Sequence, residues 1–206
     1  MLLYSRDSGG DEDFHLYSVD LGSGAKRDLT PFPKTTAQVN AVSHLHPDAV
    51  LVGMNDRDAK WHDLYRVDLA SGERTLVQKN EQDIAAYFAD GDYQVRMAQK
   101  SRADGGADLL EPDGDGGWKK TGDIPFEDSL TTQPAGYTTD GKTLYVIDSR
   151  GRDTAALYAH DSVSGKKTLL FEDKRARCRQ YPGRSEDRRG AGGRGGLPAR
   201  GMESAR

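Results

Sequence analysis

His44-Leu-His46 sets two imidazoles two residues apart, the spacing that puts both on one face of a strand, as in some metal sites. Only five histidines are present, and no clustered carboxylate or thiolate stands near this pair, so ordinary strand or turn histidines are the preferred reading. Glu111-Pro-Asp-Gly-Asp-Gly116 has the acids and glycines of a calcium loop, but its twelfth position is Gly122, where a bidentate glutamate is needed. A turn between strands fits it better. Arg150 and Arg152, in Ser149-Arg-Gly-Arg-Asp153, are the residue type that clamps a carboxylate with two parallel N–H bonds. They form the candidate substrate-facing loop, set against a local pairing with Asp148 or Asp153. Asp11-Glu-Asp13 and Asp56-Arg-Asp-Ala-Lys60 read as charged, solvated loops. No serine, Ser164 included, stands out as a nucleophile, because nothing sets a base beside it. Cys178 is the only cysteine, which leaves no internal disulfide and no multi-cysteine zinc site. No catalytic, cofactor-binding or metal-binding residue is assigned.

The elements that position these residues come in repeats. Phe14-His-Leu-Tyr-Ser-Val-Asp-Leu-Gly-Ser-Gly24 returns as His62-Asp-Leu-Tyr-Arg-Val-Asp-Leu-Ala-Ser-Gly72 and again as Ala155-Ala-Leu-Tyr-Ala-His-Asp-Ser-Val-Ser-Gly165. A degenerate copy spans Asp108 to Gly117. The first leucines, Leu16, Leu64, Leu109 and Leu157, are 48, 45 and 48 residues apart, the period of four-stranded propeller blades. Leu-Tyr-x-Val-Asp alternates as a strand does. The following Asp-x-x-Ser-Gly is a turn, since aspartate accepts from nearby amides and glycine takes positive φ. Strand-like segments precede each copy (Leu2–Ser5, Val50–Met54, Gln94–Ala98, Thr143–Ile147), and short strands follow at Arg74–Val77 and Lys167–Leu170. Further turns fall at His46–Asp48, Ala89–Asp92 and Thr139–Lys142. No stretch sustains a 3.6-residue period, so helices are few. The expectation is all-β: a partial propeller of about four antiparallel four-stranded blades, the first lacking its opening strand.

A hydrophobic content of 35% suits strands with one buried face better than a greasy helical bundle. No apolar run approaches the ~18 residues of a membrane span. No leader is visible at Met1–Asp7, which slightly favours the cytoplasm and argues against a membrane partner. Residues 175–206 carry nine arginines and no lysine against three acids, net +6 where the whole chain is −4. The remainder is therefore −10. The chain divides into a propeller body, 1–174, and an Arg/Gly-rich tail, 175–206, expected to be disordered. Three origins compete for the tail: a nucleic-acid segment, plain disorder, or a shifted reading frame. An acidic body disfavours nucleic acid. Reading one base later after Ala176, with permitted codons, gives an apolar strand, an Asp-Pro-Lys-Thr-Gly turn and another strand. Met202-Glu203 forces a tryptophan in that frame. The frameshift is the preferred origin.

The repeated Leu-Tyr-x-Val-Asp-Leu-x-Ser-Gly, Asp148-Ser-Arg-Gly-Arg-Asp-Thr-Ala-Ala-Leu-Tyr158 and Leu170-Phe-Glu-Asp-Lys-Arg-Ala176 resemble the propeller of the prolyl oligopeptidase family. Its acylaminoacyl-peptidase and dipeptidyl-aminopeptidase-like members are the nearest in pattern, over roughly residues 1–176. That resemblance implies a propeller filtering peptide substrates for a following α/β-hydrolase domain, whose Ser, His and Asp cleave them through an acyl-enzyme. It implies two partners, that domain and peptide substrates, and no cofactor. The chain departs from the family in having no Gly-x-Ser-x-Gly and only about four blades, so no catalytic residue carries over and the chain alone is expected to be inactive. A stand-alone propeller of the TolB type, mediating protein–protein interaction, is the alternative.

Overall fold

The structure, a computed structural model, describes residues 1–173. Four antiparallel sheets follow one another in chain order. Blade 1 holds β1 (Leu2–Arg6), β2 (His15–Val19) and β3 (Lys26–Asp28). Blade 2 holds β4 (Ala37–Ala41), β5 (Ala49–Asp58), β6 (Trp61–Asp68) and β7 (Arg74–Gln78). Blade 3 is β8 (Ala86–Ala89), β9 (Val95–Ser101), β10 (Ala107–Pro112) and β11 (Trp118–Ile124). Blade 4 is β12 (Gln133–Tyr137), β13 (Thr143–Asp148), β14 (Ala156–Asp161) and β15 (Lys167–Phe171). Each strand pairs only with its chain neighbours inside its own sheet, the meander of a propeller blade. Blade 1 has three strands where the others have four, as the sequence pattern leads one to expect. The one helical element among the described residues is a 3₁₀ turn, Phe126–Asp128. The tail beyond residue 173, with Cys178 and the proposed frame change, lies outside the described residues.

The Asp-x-x-Ser-Gly turns close by the chemistry read from their residue types. Asp68 Oδ1 accepts from Ala70 N at 3.0 Å, Ser71 N at 2.6 Å and Ser71 Oγ at 2.8 Å. Asp20 and Asp161 repeat the set, down to 2.7 Å bonds from Ser23 N and Ser164 N. These amide and hydroxyl donors hold all three carboxyls below the ordinary range. The glycine ends the turn at positive φ, 73° at Gly72 and 70° at Gly165, where a Cβ is strained.

Packing follows from β5. Ala49-Val-Leu-Val-Gly-Met54 is a continuous buried apolar run, the signature of a strand covered on both faces. Val50, Val52 and Met54 face blade 1, joining Leu16 and Leu29; Ala49 and Leu51 face blade 3, joining Ile84, Tyr87, Tyr93 and Ala98. Burying each such aliphatic side chain contributes about 1.5–3 kcal/mol, so blade 2 anchors both neighbours.

Candidate functional site

The first strands of blades 2, 3 and 4, namely β4, β8 and β12, lie at the inner edge of their sheets and approach one another. Between them runs an axial groove of about 500 Å³ lined by Asn40, Ser43, His44, Tyr87, Gly91 and Tyr137, among others. Asn40 Nδ2 donates to Tyr87 O at 3.0 Å, tying the blade 2 inner strand to that of blade 3. Burial raises the Tyr87 phenol, and burial and then Glu111 push the Tyr137 phenol up to about 12, so both remain neutral at physiological pH. Asp90, at the edge of the groove, is 4% exposed and already holds Arg96 at 2.7 Å. The groove is thus polar and largely uncharged. Among the described residues that line it, no hydroxyl is hydrogen-bonded to a histidine.

His44 and His46 lie in the β4–β5 turn, not on a strand face; His44 is exposed and His46 stands 3.3 Å from Asp92. Among the described residues no three side chains of metal-ligand type come together. Glu111–Gly116 runs from β10 into the β10–β11 turn, where the Asp113 carboxylate is spent on the amides of Asp115 and Gly117, at 2.9 and 2.8 Å. The hydroxyl of Ser149 bonds to Asp128 at 2.6 Å and to Thr131 and Thr132, with no histidine among its partners.

Arg150 and Arg152 sit in the β13–β14 loop, at the opposite end of blade 4 from the β12–β13 turn. Arg150 grips Asp148 through Nε at 2.9 Å and Nη2 at 2.8 Å, and its Nη1 donates to Asp123 O at 2.8 Å. Lys167 Nζ adds a bond at 2.7 Å, so the 2%-exposed Asp148 carries two cations. Burial pushes its carboxyl up, but the Arg150 and Lys167 bonds prevail and hold it well below the usual range. Arg152 meets Glu172 and Tyr158.

The charged segment Asp56–Lys60 is largely exposed, as the sequence reading has it, with its turn at Ala59-Lys60, but it is part strand: β5 continues to Asp58, Arg57 clamps the 1%-exposed Asp63 with two 2.7 Å bonds, and Asp56 pairs with Arg74. A buried carboxylate demands a counter-charge, and the hairpin extension delivers one. The inner strands went unread because they are short and mixed. Their starts, at Ala37, Ala86 and Gln133, are 49 and 47 residues apart, so the repeat period was their available signal.

No protein-family model matches the chain. Dipeptidyl aminopeptidase BIII of Pseudoxanthomonas mexicana is 67% identical over 175 residues, 85% of this chain and 25% of that enzyme. The chain is homologous to this enzyme over a propeller segment: it spans about a quarter of the curated relatives it matches, dipeptidyl peptidase family member 6 of Caenorhabditis elegans being 24% identical over 192 residues, 26% of its length. Among solved structures, the segment is similar to TolB from Acinetobacter baumannii, with a TM-score of 0.57 and 18% identity over 82% of this chain and 40% of TolB. It is also similar to a prolyl endopeptidase, with a TM-score of 0.51 and 19% identity over 83% of this chain and 28% of that one. At such identities these two likenesses establish the propeller fold alone.

Proposed function

We propose that the chain is part of the propeller that filters peptides on their way to the active site of a dipeptidyl-aminopeptidase-like serine peptidase. The observation that carries this reading is the 67% identity over 175 residues to such an enzyme. The axial groove supports it, having a volume of about 500 Å³ and a lining of mixed polar and apolar side chains with few charges. The partners are then an α/β-hydrolase domain elsewhere in the longer protein, which supplies the Ser, His and Asp, and the peptides it cleaves. On this reading the chain divides into a propeller body, 1–174, and an Arg/Gly-rich tail, 175–206.

The Arg150–Arg152 loop remains the candidate contact for a peptide carboxylate at its end of the propeller. Both guanidiniums already hold acids. A peptide would displace Glu172, whose side chain is 36% exposed, far more readily than the buried Asp148.

Purified chain offered acyl-amino and dipeptidyl chromogenic substrates is expected to release no chromophore. Turnover that survives repurification and disappears on replacing one serine contradicts the proposal. A stand-alone binding propeller of the TolB type is the second reading, TolB being among the proteins that share the fold.

A further inference from the structure

Five aspartates in the chain are followed by glycine: Asp90, Asp104, Asp113, Asp115 and Asp140. All five lie between strands. An aspartate-glycine pair can rearrange through a cyclic imide, because glycine brings no Cβ to block the approach of its own nitrogen. Three conditions must be met together. The glycine N–H must be free, the aspartate carboxyl must be free, and the backbone between them must have room to turn.

At three of the five pairs the glycine amide is already committed. Gly91 N donates to Thr139 O at 3.0 Å, Gly105 N to Arg102 O at 3.0 Å and Gly141 N to Thr138 O at 2.9 Å. Their carboxylates are committed too: Asp90 holds Arg96 at 2.7 Å, Asp104 holds Arg102 at 3.1 Å, and Asp140 accepts from Thr138 Oγ1 at 2.7 Å. The Arg102 and Thr138 bonds keep the Asp104 and Asp140 carboxyls below the ordinary range, in the charged form whose oxygen leaves poorly. The β10–β11 turn differs. Among the described residues, no hydrogen bond engages Gly114 N or Gly116 N. Asp113 still spends its Oδ1 on the amides of Asp115 and Gly117. Asp115 is exposed, and among the described residues its carboxylate has no hydrogen-bond or ion-pair partner. A Cβ on Gly116, at φ 87°, would meet nothing within 4 Å, so nothing crowds the segment that has to turn.

We propose that Asp115-Gly116 is a modification site, where the folded chain converts aspartate to isoaspartate without an enzyme. Gly116 N attacks Asp115 Cγ, and the new C–N bond closes a five-membered imide. The Cγ–O bond breaks, and the carboxyl OH leaves as water with the amide proton. Water then opens the ring. Addition at Cγ restores aspartate; addition at the α-carbonyl leaves the main chain running through the β-carboxyl, with the α-carboxylate free. No electrons are transferred and the net mass is unchanged. At the other pairs a bonded amide and a held carboxylate must first open locally, which costs free energy. The methylene added to the main chain lies outside the Pro112–Trp118 pair that ends the β10–β11 ladder, so the product is a surface mark on an intact blade. The inference rests on this turn alone and stands or falls apart from the peptidase reading.

Ageing the purified 206-residue chain in warm, mildly alkaline buffer tests it. Peptide mapping with electron-transfer fragmentation separates isoaspartate from aspartate at each position. Methyl transfer from S-adenosylmethionine by protein L-isoaspartyl methyltransferase measures the total. In the folded chain Asp115 should carry most of the isoaspartate and Asp113 less, with Asp90, Asp104 and Asp140 no higher than in the unaged sample. In urea the committed amides are released, and all five pairs should react at comparable rates. Asp115→Glu should remove most of the methyl acceptance of the folded chain, because the larger ring closes far more slowly. Isoaspartate accumulating at Asp90, Asp104 or Asp140 of the folded chain as fast as at Asp115 would overturn the proposal. So would its absence at Asp115 in the folded chain, or undiminished methyl acceptance in Asp115→Glu. If that variant does not fold, the map of the parent chain decides.

Discussion

Asp148→Asn removes one negative charge from a site where it holds two cations. The parent carboxylate is 2% exposed and accepts from the Arg150 amide and guanidinium at 2.8–3.0 Å and from Lys167 at 2.7 Å. The substituted amide keeps one acceptor oxygen and turns an NH₂ group toward Arg150 or Lys167. Breaking a buried pair from one side costs roughly 3–5 kcal/mol when the stranded charge stays dry. Here the stranded cations are 31% and 41% exposed and rehydrate in part, which brings the expected loss to about 2–4 kcal/mol. Against a typical stability of about 5–15 kcal/mol this is a large fraction, and it lowers Tm by roughly 5–15 °C in a domain of this size. Urea melts followed by circular dichroism measure it. The pH dependence has a definite sign. The folded-state carboxyl is held below its ordinary 3.8, so its stabilisation is present above about pH 4 and is lost as pH falls toward the folded value. The gap between parent and variant should therefore shrink steadily below about pH 4. Replacing Lys167 with Met in the Asp148→Asn background should recover part of the loss by removing an uncompensated cation. A variant within about 0.5 kcal/mol of the parent at neutral pH, or a gap unchanged at low pH, would refute the reasoning.

Gly165→Ala and Gly72→Ala should each cost about 1–2 kcal/mol, from positive φ at an L-residue, in the same melts. Gly72→Ala should cost more, since its Cβ would stand 3.1 Å from Arg27 Nη2 while that of Gly165 meets nothing within 4 Å; equal losses would remove the Arg27 contact from the account. The 206-residue chain should self-associate in sedimentation velocity, because Leu169, Leu170 and Phe171 of the outermost strand of blade 4 are 44%, 47% and 55% exposed. A version carrying the alternative reading frame after Ala176 and the blades that follow should sediment as a smaller species than those aggregates; a monodisperse, cooperatively melting monomer from the 206-residue chain would contradict this.

The blades were legible because the repeat joins two local signals, an alternating strand and a turn closed by aspartate and glycine. Both are fixed by residue type within a dozen positions, and Asp68 and Asp161 satisfy them bond for bond. Even the degenerate copy at Asp108 fell into register, since β10 occupies Ala107–Pro112. The inner strands were not legible. Their side chains, such as Asn40 and Tyr87, answer to neighbouring blades that no local pattern encodes. The extension of the β5–β6 hairpin also hid the role of Arg57, whose buried partner Asp63 faces it across the hairpin. Arg150 was legible as a carboxylate clamp, and the structure gives it Asp148, the local partner set against a peptide.

The central claim is that this is a segment of a peptidase propeller, and the coding DNA beyond residue 206, read in the frame that resumes after Ala176, tests it most directly. The account predicts further blade repeats at about 45–50 residues, followed by Gly-x-Ser-x-Gly on a strand-to-helix turn with Asp and His after it. A stop codon after the remaining blades, with no such motif, would contradict it and leave a stand-alone propeller.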